Sequence, residues 1–213
     1  MVSSNNFYRI YLWAELTLLF VIVPVALSQK IPTWIKIAAV LLGVAYVVYV
    51  SNKVGLLKKR LFTAVFSSVG KRSSLIRLLI VLLATTAYGY AVEPSLLFLF
   101  PLTKPLMWLG ICLGYALFSA FPLEFIYCVF FYNRYRALFG THFVFVLYNS
   151  LLFALAHLIF GNNLVLVIAF IGGLLFNYSY SKNQSYLLVS IEHSVYGCWL
   201  FTIGMAEMLA LPN

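Results

Sequence analysis

Three ionisable side chains of this sequence lie within long apolar stretches in which charged residues are rare. Glu124 lies in "FPLEFIYCVFFYNRY", His157 ends the segment "FALAH", and His193 follows Glu192 in "EHSVYG". An ionisable group in the middle of a membrane-spanning helix costs at least ~2.5–3.5 kcal/mol when it is unpaired, so it is by default a functional candidate. Glu124, His157 and His193 are therefore the residues whose joint chemistry has to be considered first.

One carboxylate and two imidazoles support several kinds of chemistry. A glutamate beside a histidine can take a proton from water and so produce a nucleophile for an amide carbonyl, while the second histidine stabilises the oxyanion. The same side chains are the ligand set of a catalytic zinc ion with an open fourth position, although the sequence contains no HExxH pair. The same residues would also fit a proton relay in a transporter, or a buried hydrogen-bonded network that only holds the bundle together. The residues by themselves leave these alternatives open.

The neighbours of the two histidines predict a packed interior site. Phe153 precedes His157 by one helical turn, with alanines between them, and Gly197 follows His193 by one turn and opens space beside its imidazole. Glu192 is offset from His193 by about 100° around the helix, so we expect it to face a different neighbour and to orient a nearby helix.

The composition indicates an integral membrane protein. The chain has 213 residues, of which 64% are hydrophobic and 9% charged, and its mean hydropathy is +1.00. Apolar stretches of about 20 residues match the helix length that crosses the ~30 Å hydrocarbon core. We therefore predict an all-α, polytopic transmembrane helical bundle that forms a single domain over 1–213, with 1–104 providing N-terminal helices and a basic cytoplasmic loop and 105–210 carrying the site. Seven spans are predicted, and an eighth when 93–104 is counted: 9–28, 34–52, 74–92, 105–132, 143–160, 163–180 and 185–206.

The distribution of lysine and arginine predicts the orientation of the chain. With the N-terminus in the cytoplasm, eleven basic residues lie on the cytoplasmic side and three on the other side. The sequence "KKR" at 58–60 lies among leucines, which predicts an interfacial amphipathic helix that contacts anionic lipid. The positive net charge thus indicates membrane lipid as a partner, and nucleic acid is not expected to be one.

The order of these motifs resembles the CPBP family of intramembrane endopeptidases, also called the CAAX-protease and bacteriocin-processing or Abi family, over about residues 118–210. That family carries an EExxxR motif, then FxxxH, then a motif built on HxxxN or a relative of it. Here "LEFIYC" stands at the first motif, "FALAH" matches the second, and "EHSVYG" falls at the third. The "GG" helix followed by the "EH…YG" helix is similar to a proteobacterial branch of the family.

The first motif is degenerate in this sequence. Leu123 stands at the position of the first glutamate, Cys128 at the position of the arginine, and Gly197 at the position of the asparagine. In the family, the glutamate pair and the first histidine activate water, and the second histidine and the asparagine hold the oxyanion. Glu124 must therefore do the work of the glutamate pair, and it lacks the arginine as a charge partner.

The resemblance implies an intramembrane endopeptidase in the bacterial inner membrane. Its catalytic residues would be Glu124, His157 and His193, its substrate a membrane-associated peptide or protein, and no metal would be obligatory; zinc bound by the same three residues is the alternative. The supporting residues would be Phe153, Gly197, Glu192 and Cys128. A catalytically inactive family member that acts as a scaffold, in assembly, or in binding a membrane-protein partner has the same sequence features.

Overall fold

The computed structural model describes residues 6–58 and 68–205, and no strand occurs in this part of the chain. The predicted all-α polytopic bundle is confirmed. The helices, in chain order, are α1 Asn6–Leu27, α2 Thr33–Lys53, α3 Ser68–Val92, α4 Pro94–Thr103, α5 Pro105–Leu138, α6 His142–Phe160, α7 Asn163–Asn183 and α8 Tyr186–Thr202.

Within the described ranges, six helices are long and apolar enough to cross a membrane, namely α1, α2, α3, α5, α6 and α7. They correspond to the first six predicted spans. The seventh predicted span, 185–206, contains α8, which has 17 residues. The segment 93–104, predicted as an additional element, contains the short apolar helix α4.

Helix α8 ends earlier than the sequence pattern predicts because of the backbone conformation of Gly204. This glycine has φ +87°, and the amide of Met205 donates to the carbonyl oxygen of Leu200 at 2.9 Å. A left-handed glycine with this hydrogen bond is the Schellman arrangement that terminates helices. A Cβ atom at Gly204 would also collide with Leu96. The end of α8 therefore requires a glycine at this position.

The short helix α4 is attached to the C-terminal end of α8. The amide of Phe98, a residue with φ 59°, donates to the carbonyl oxygen of Thr202 at 3.0 Å. The indole Nε1 of Trp108, in the first turns of α5, donates to the Thr202 hydroxyl at 3.1 Å. The first bond satisfies a carbonyl oxygen that the end of α8 leaves without a helical partner, and both bonds attach the α4–α5 connection to α8.

The chain forms two compact units, and the divisions between them fall within α5 and within α7. Within the described residues, unit 1 consists of 6–58 and 126–178, and unit 2 consists of 68–125 and 179–205. Such a division does not test whether 1–213 forms a single domain, so that expectation stays a prediction.

Unit 1 contains a buried ion pair between Glu15 and Arg134. The Arg134 Nε donates to Oε2 of Glu15 at 2.9 Å, and the Tyr46 hydroxyl donates to Oε1 at 2.5 Å. Glu15 is only 6% exposed. A buried carboxylate that is paired and hydrogen-bonded in this way joins helices, because separating the partners would leave an uncompensated charge.

Close backbone packing in unit 1 depends on Gly173. A Cβ atom built on Gly173 would lie 3.0 Å from Cα of Ser150 and 3.3 Å from Cβ of Phe153. Beside this contact, the buried side-chain amide of Asn149 donates to Oδ1 of Asn177 at 2.6 Å. Helices α6 and α7 thus pack through small residues and an interhelical hydrogen bond, as is common between membrane helices.

Part of the basic loop that is predicted to be cytoplasmic lies outside the described residues. Lys59 and Arg60, which belong to the predicted interfacial helix, are among the residues that the structure does not describe. The predicted orientation therefore stays a prediction, as does the lipid contact of the "KKR" segment.

Candidate functional site

Glu124 is positioned by an irregular stretch of α5. It ends a single α-helical turn, Phe121–Glu124, that lies between two π-helical segments, Ala116–Ala120 and Phe125–Phe130. Pro122 within this turn has no amide hydrogen to donate to the preceding turn, so regular hydrogen bonding cannot continue through it. π-Helical turns inside α-helices are frequent at functional sites, because they rotate side chains away from the regular register.

The carboxylate of Glu124 contacts the imidazole of His193 in α8. The distance from Oε1 of Glu124 to Nδ1 of His193 is 2.8 Å. Glu124 is fully buried, and His193 is 4% exposed. Two of the three residues that the sequence singled out are thus in direct contact within unit 2, although 69 positions separate them in the chain.

The second oxygen of Glu124 is available for a further interaction. Among residues 6–58 and 68–205, no hydrogen-bond donor reaches the buried Oε2 atom. A buried carboxylate oxygen without a donor is costly, and such atoms are rare in folded proteins. A water molecule or a substrate group that donates a hydrogen to Oε2 would remove this cost.

The contact with Glu124 also constrains the protonation of His193. When Glu124 is ionised it can only accept hydrogen bonds, so Nδ1 of His193 must carry the hydrogen. In the neutral imidazole the other nitrogen, Nε2, is then an acceptor. His193 donates from Nε2 only when the ring is protonated on both nitrogens.

Tyr115 fills the space that Gly197 leaves beside His193. The ring of Tyr115, at the end of the first α-helical part of α5, lies edge-on to the His193 ring with 5.8 Å between the centroids. A Cβ atom on Gly197 would collide with this ring and would lie 2.5 Å from the Tyr115 hydroxyl oxygen. The predicted opening next to the imidazole is therefore present, and a tyrosine ring occupies it.

His157 belongs to unit 1 and lies where α6 changes from α-helix to a 3₁₀ turn. Its Nδ1 is 2.7 Å from the carbonyl oxygen of Phe153, and the two rings are 4.9 Å apart. Since a carbonyl oxygen only accepts, Nδ1 carries the hydrogen and Nε2 of the neutral ring is an acceptor. Phe153 and His157, which lie one helical turn apart, are thus in contact. The convergence of His157 with Glu124 and His193 stays a prediction.

Glu192 has a different partner from His193, as its position on the helix predicts. Its Oε1 accepts from Nη2 of Arg77, in α3, at 2.8 Å, and the same Arg77 nitrogen donates to the Ser179 hydroxyl at 2.8 Å. Glu192 is 7% exposed. The contact joins α3 to α8 within unit 2 and holds the helix that carries His193.

We expect that replacing Arg77 with methionine destabilises the fold. The substitution leaves the Glu192 carboxylate buried without its cationic partner, and breaking a buried ion pair in this way costs about 3–5 kcal/mol. Thermal unfolding of the purified protein in detergent measures the effect. The matched control is the double variant Arg77→Met with Glu192→Leu, which removes both charges and should unfold closer to the wild-type temperature. A single variant as stable as the wild type would show that the pair does not hold α8.

Two of the residues that depart from the pattern of the resembled family, Leu123 and Cys128, lie in the irregular part of α5. Cys128 is buried, with 1% of its surface exposed, in the second π-helical segment of α5, and Leu123 is half-buried. In place of the missing arginine, the partner of Glu124 is His193. Within the described part of the chain, no group of three or more His, Cys, Asp or Glu side chains is arranged to hold a metal ion. The zinc alternative stays an untested prediction.

Sequence analysis missed two features of this site. Tyr115 is one of 15 tyrosines and lies in an apolar run, so nothing in its local sequence distinguishes it. The π-helical segments were missed too, since a wide turn leaves no fixed residue pattern. Pro122, between the two segments, was the available signal of irregular structure in α5.

Comparison with known proteins agrees with the motif order. Residues 104–199 match the family model described as type II CAAX prenyl endopeptidase Rce1-like. The match covers α5 to α8 almost completely, and so includes Glu124, His157 and His193. No curated protein and no solved structure matches the chain. The match supports the CPBP family, and this part of the chain is similar to membrane endopeptidases of the CAAX-protease type.

Proposed function

We propose that this protein is an intramembrane endopeptidase of the CAAX-protease type, in which Glu124 activates a water molecule. The observation that carries the proposal is the contact between Glu124 and His193, which leaves Oε2 of Glu124 without a donor among the described residues. The match of residues 104–199 to the Rce1-like family adds independent support.

The proposed reaction is a direct attack of water on the amide carbonyl. Oε2 of Glu124 accepts a proton from water, and the water oxygen forms a bond to the carbonyl carbon. The electron pair of the C=O π bond moves to the carbonyl oxygen, which becomes an oxyanion. When the tetrahedral intermediate collapses, the C–N bond breaks and the leaving nitrogen takes the proton from Glu124. Atoms and charges balance without a covalent enzyme intermediate and without a metal ion.

His193 orients the base in this proposal. The hydrogen on its Nδ1 fixes one oxygen of the carboxylate, so the second oxygen keeps a constant position for water. His157 is proposed to contact the same water from its Nε2, which is an acceptor because Nδ1 donates to Phe153. Its hydrogen bond to the Phe153 carbonyl oxygen restrains the orientation of the ring.

The substrate we propose is a membrane-associated peptide or protein, and the site is proposed to lie in the bacterial inner membrane with the N-terminus in the cytoplasm. The supporting observations are the six long apolar helices of the described residues and the excess of lysine and arginine on one predicted side. Arg77 and Arg134 form ion pairs within their units, so these two residues also have structural roles.

A cleavage assay with and without a metal chelator tests this function. Purified protein in liposomes is incubated with membrane-anchored peptides, and the products are identified by mass spectrometry. Because the proposed steps use only side chains and water, we expect the rate in the presence of a chelator to stay within about twofold of the untreated rate. A rate that falls with chelator and returns on addition of zinc would contradict the metal-free mechanism and support zinc bound by Glu124, His157 and His193. Absence of cleavage of every peptide would contradict the enzymatic function itself.

A further inference from the structure

The neutral form of His193 cannot donate a hydrogen bond to an oxyanion. Its Nδ1 hydrogen is directed to Oε1 of Glu124 at 2.8 Å, and Nε2 of a neutral imidazole is then an acceptor. The ionised form of Glu124 is the one that can take a proton from water. With Glu124 ionised and His193 neutral, neither residue has a hydrogen to donate to an oxyanion. The negative charge that develops on the carbonyl oxygen needs a donor from another residue.

Tyr115 provides a hydroxyl group next to this pair. Its ring lies edge-on to His193, and the hydroxyl oxygen is 2.5 Å from the position that a Cβ atom of residue 197 would take. In the described part of the chain, the Tyr115 hydroxyl makes no hydrogen bond. A phenol can donate one hydrogen without being charged, which suits a buried site.

The position of the ring is held from more than one side. The ring of Phe201, two turns after His193 in α8, packs edge-on against Tyr115 with 5.2 Å between the centroids. Gly197 provides the space in α8 that lets the ring approach the helix, since any larger residue would collide with it. Packing of the ring thus positions Tyr115, and no hydrogen bond of its hydroxyl is needed for this. A preorganised donor has to be held in place in such a way.

We propose that the Tyr115 hydroxyl is the oxyanion donor of this site, and that Gly197 is required because it admits the Tyr115 ring beside His193. The proposal rests on the peptidase function proposed above and adds a residue to it. In the tetrahedral intermediate, the phenol hydrogen contacts the former carbonyl oxygen while Glu124 holds the proton taken from water. No bond to Tyr115 forms or breaks, and the hydrogen bond ends when the C–N bond breaks and the carbonyl re-forms.

Replacing Tyr115 with phenylalanine tests the donor, because it removes the hydroxyl and keeps the ring. Removal of one oxyanion donor lowers kcat by about 10²–10³-fold, and KM should change little because the donor acts on the transition state. The matched control is Tyr88→Phe, which removes a hydroxyl from a tyrosine that is 43% exposed in α3. Thermal unfolding of both variants should be close to that of the wild type. A Tyr115→Phe variant with the wild-type kcat would overturn the proposal.

A rescue experiment separates an oxyanion donor from a residue that only packs. Tyr115→Ala empties the space next to Gly197, and adding Gly197→Asn places an amide N–H donor there. We expect the kcat of this double variant to be at least tenfold higher than the kcat of Tyr115→Ala alone. The double variant Tyr115→Ala with Gly197→Leu should show no such increase. Equal rates for the Asn and Leu double variants would overturn the donor role.

Binding of a tetrahedral mimic distinguishes failure of this proposal from failure of the proposed function. A phosphonate analogue of a cleaved peptide should bind Tyr115→Phe at least tenfold more weakly than the wild type, while the parent peptide binds both equally. If Glu124→Gln abolishes cleavage but Tyr115→Phe changes neither cleavage nor analogue binding, only the role of Tyr115 is wrong. If the wild type neither cleaves peptides nor binds the analogue, both proposals are wrong.

Discussion

Replacement of Glu124 with glutamine is expected to lower the rate of peptide cleavage by roughly 10²–10⁴-fold, the contribution of a positioned general base. Glutamine keeps the shape of the side chain and can still contact Nδ1 of His193, but its amide cannot take a proton from water. The loss should appear in kcat and in kcat/KM alike, because the proton transfer takes place in the transition state. Initial rates of the purified variant in liposomes, measured by mass spectrometry, provide the comparison.

The control for this variant is Glu93→Gln, which changes an exposed carboxylate that accepts from the Ser95 hydroxyl at 2.6 Å. We expect this control to cleave at the wild-type rate. Thermal unfolding of Glu124→Gln should remain close to that of the wild type, since the substitution removes no volume from the core. Should Glu124→Gln retain full activity with intact folding, Glu124 cannot be the base, and the water-activation mechanism is wrong.

The second large effect is expected for His157→Ala, with a loss of activity similar to that of Glu124→Gln. The expectation rests on the hydrogen bond from Nδ1 to the Phe153 carbonyl, which makes Nε2 of the neutral ring an acceptor. Alanine removes this acceptor. It also removes the ring contact with Phe153, so the stability of the variant has to be measured together with its rate.

Two further variants make the result for His157 specific. His142→Ala changes an exposed histidine at the first residue of α6 and should have no effect on cleavage. His157→Gln restores polar contacts of similar size without a titrating ring, and it should fold but remain impaired. If His157→Ala cleaves normally while Glu124→Gln does not, the site consists of Glu124 and His193 without His157.

Helical class and the positions of six of the seven predicted spans could be derived from the sequence because hydrophobicity is a local property of the chain. Six of the predicted spans correspond to six helices that are long and apolar enough to cross a membrane. The end of α8 was less well predicted, since it depends on the left-handed Gly204 and its contact with Leu96. The hydrogen bond from the Met205 amide to the Leu200 carbonyl oxygen cannot be recognised from a hydropathy pattern.

The candidate residues could also be selected from the sequence, because a carboxylate or imidazole in an apolar helix is costly and therefore rare. Their partners could not be derived in the same way. Consecutive residues of a helix are offset by about 100°, and this offset was enough to predict that Glu192 and His193 have different neighbours. That Arg77 is its partner depends on how α3 packs against α8, which only the tertiary structure shows.

The sequence by itself determined which ionisable side chains lie in apolar segments. The order of the motifs determined which protein family the chain resembles. Only the tertiary structure decided that Glu124 contacts His193, and that Tyr115 fills the space above Gly197. The physical reason is that pairing of buried polar groups depends on distances between residues far apart in the chain. Those distances are set by the packing of whole helices and by the π-helical segments on either side of Glu124.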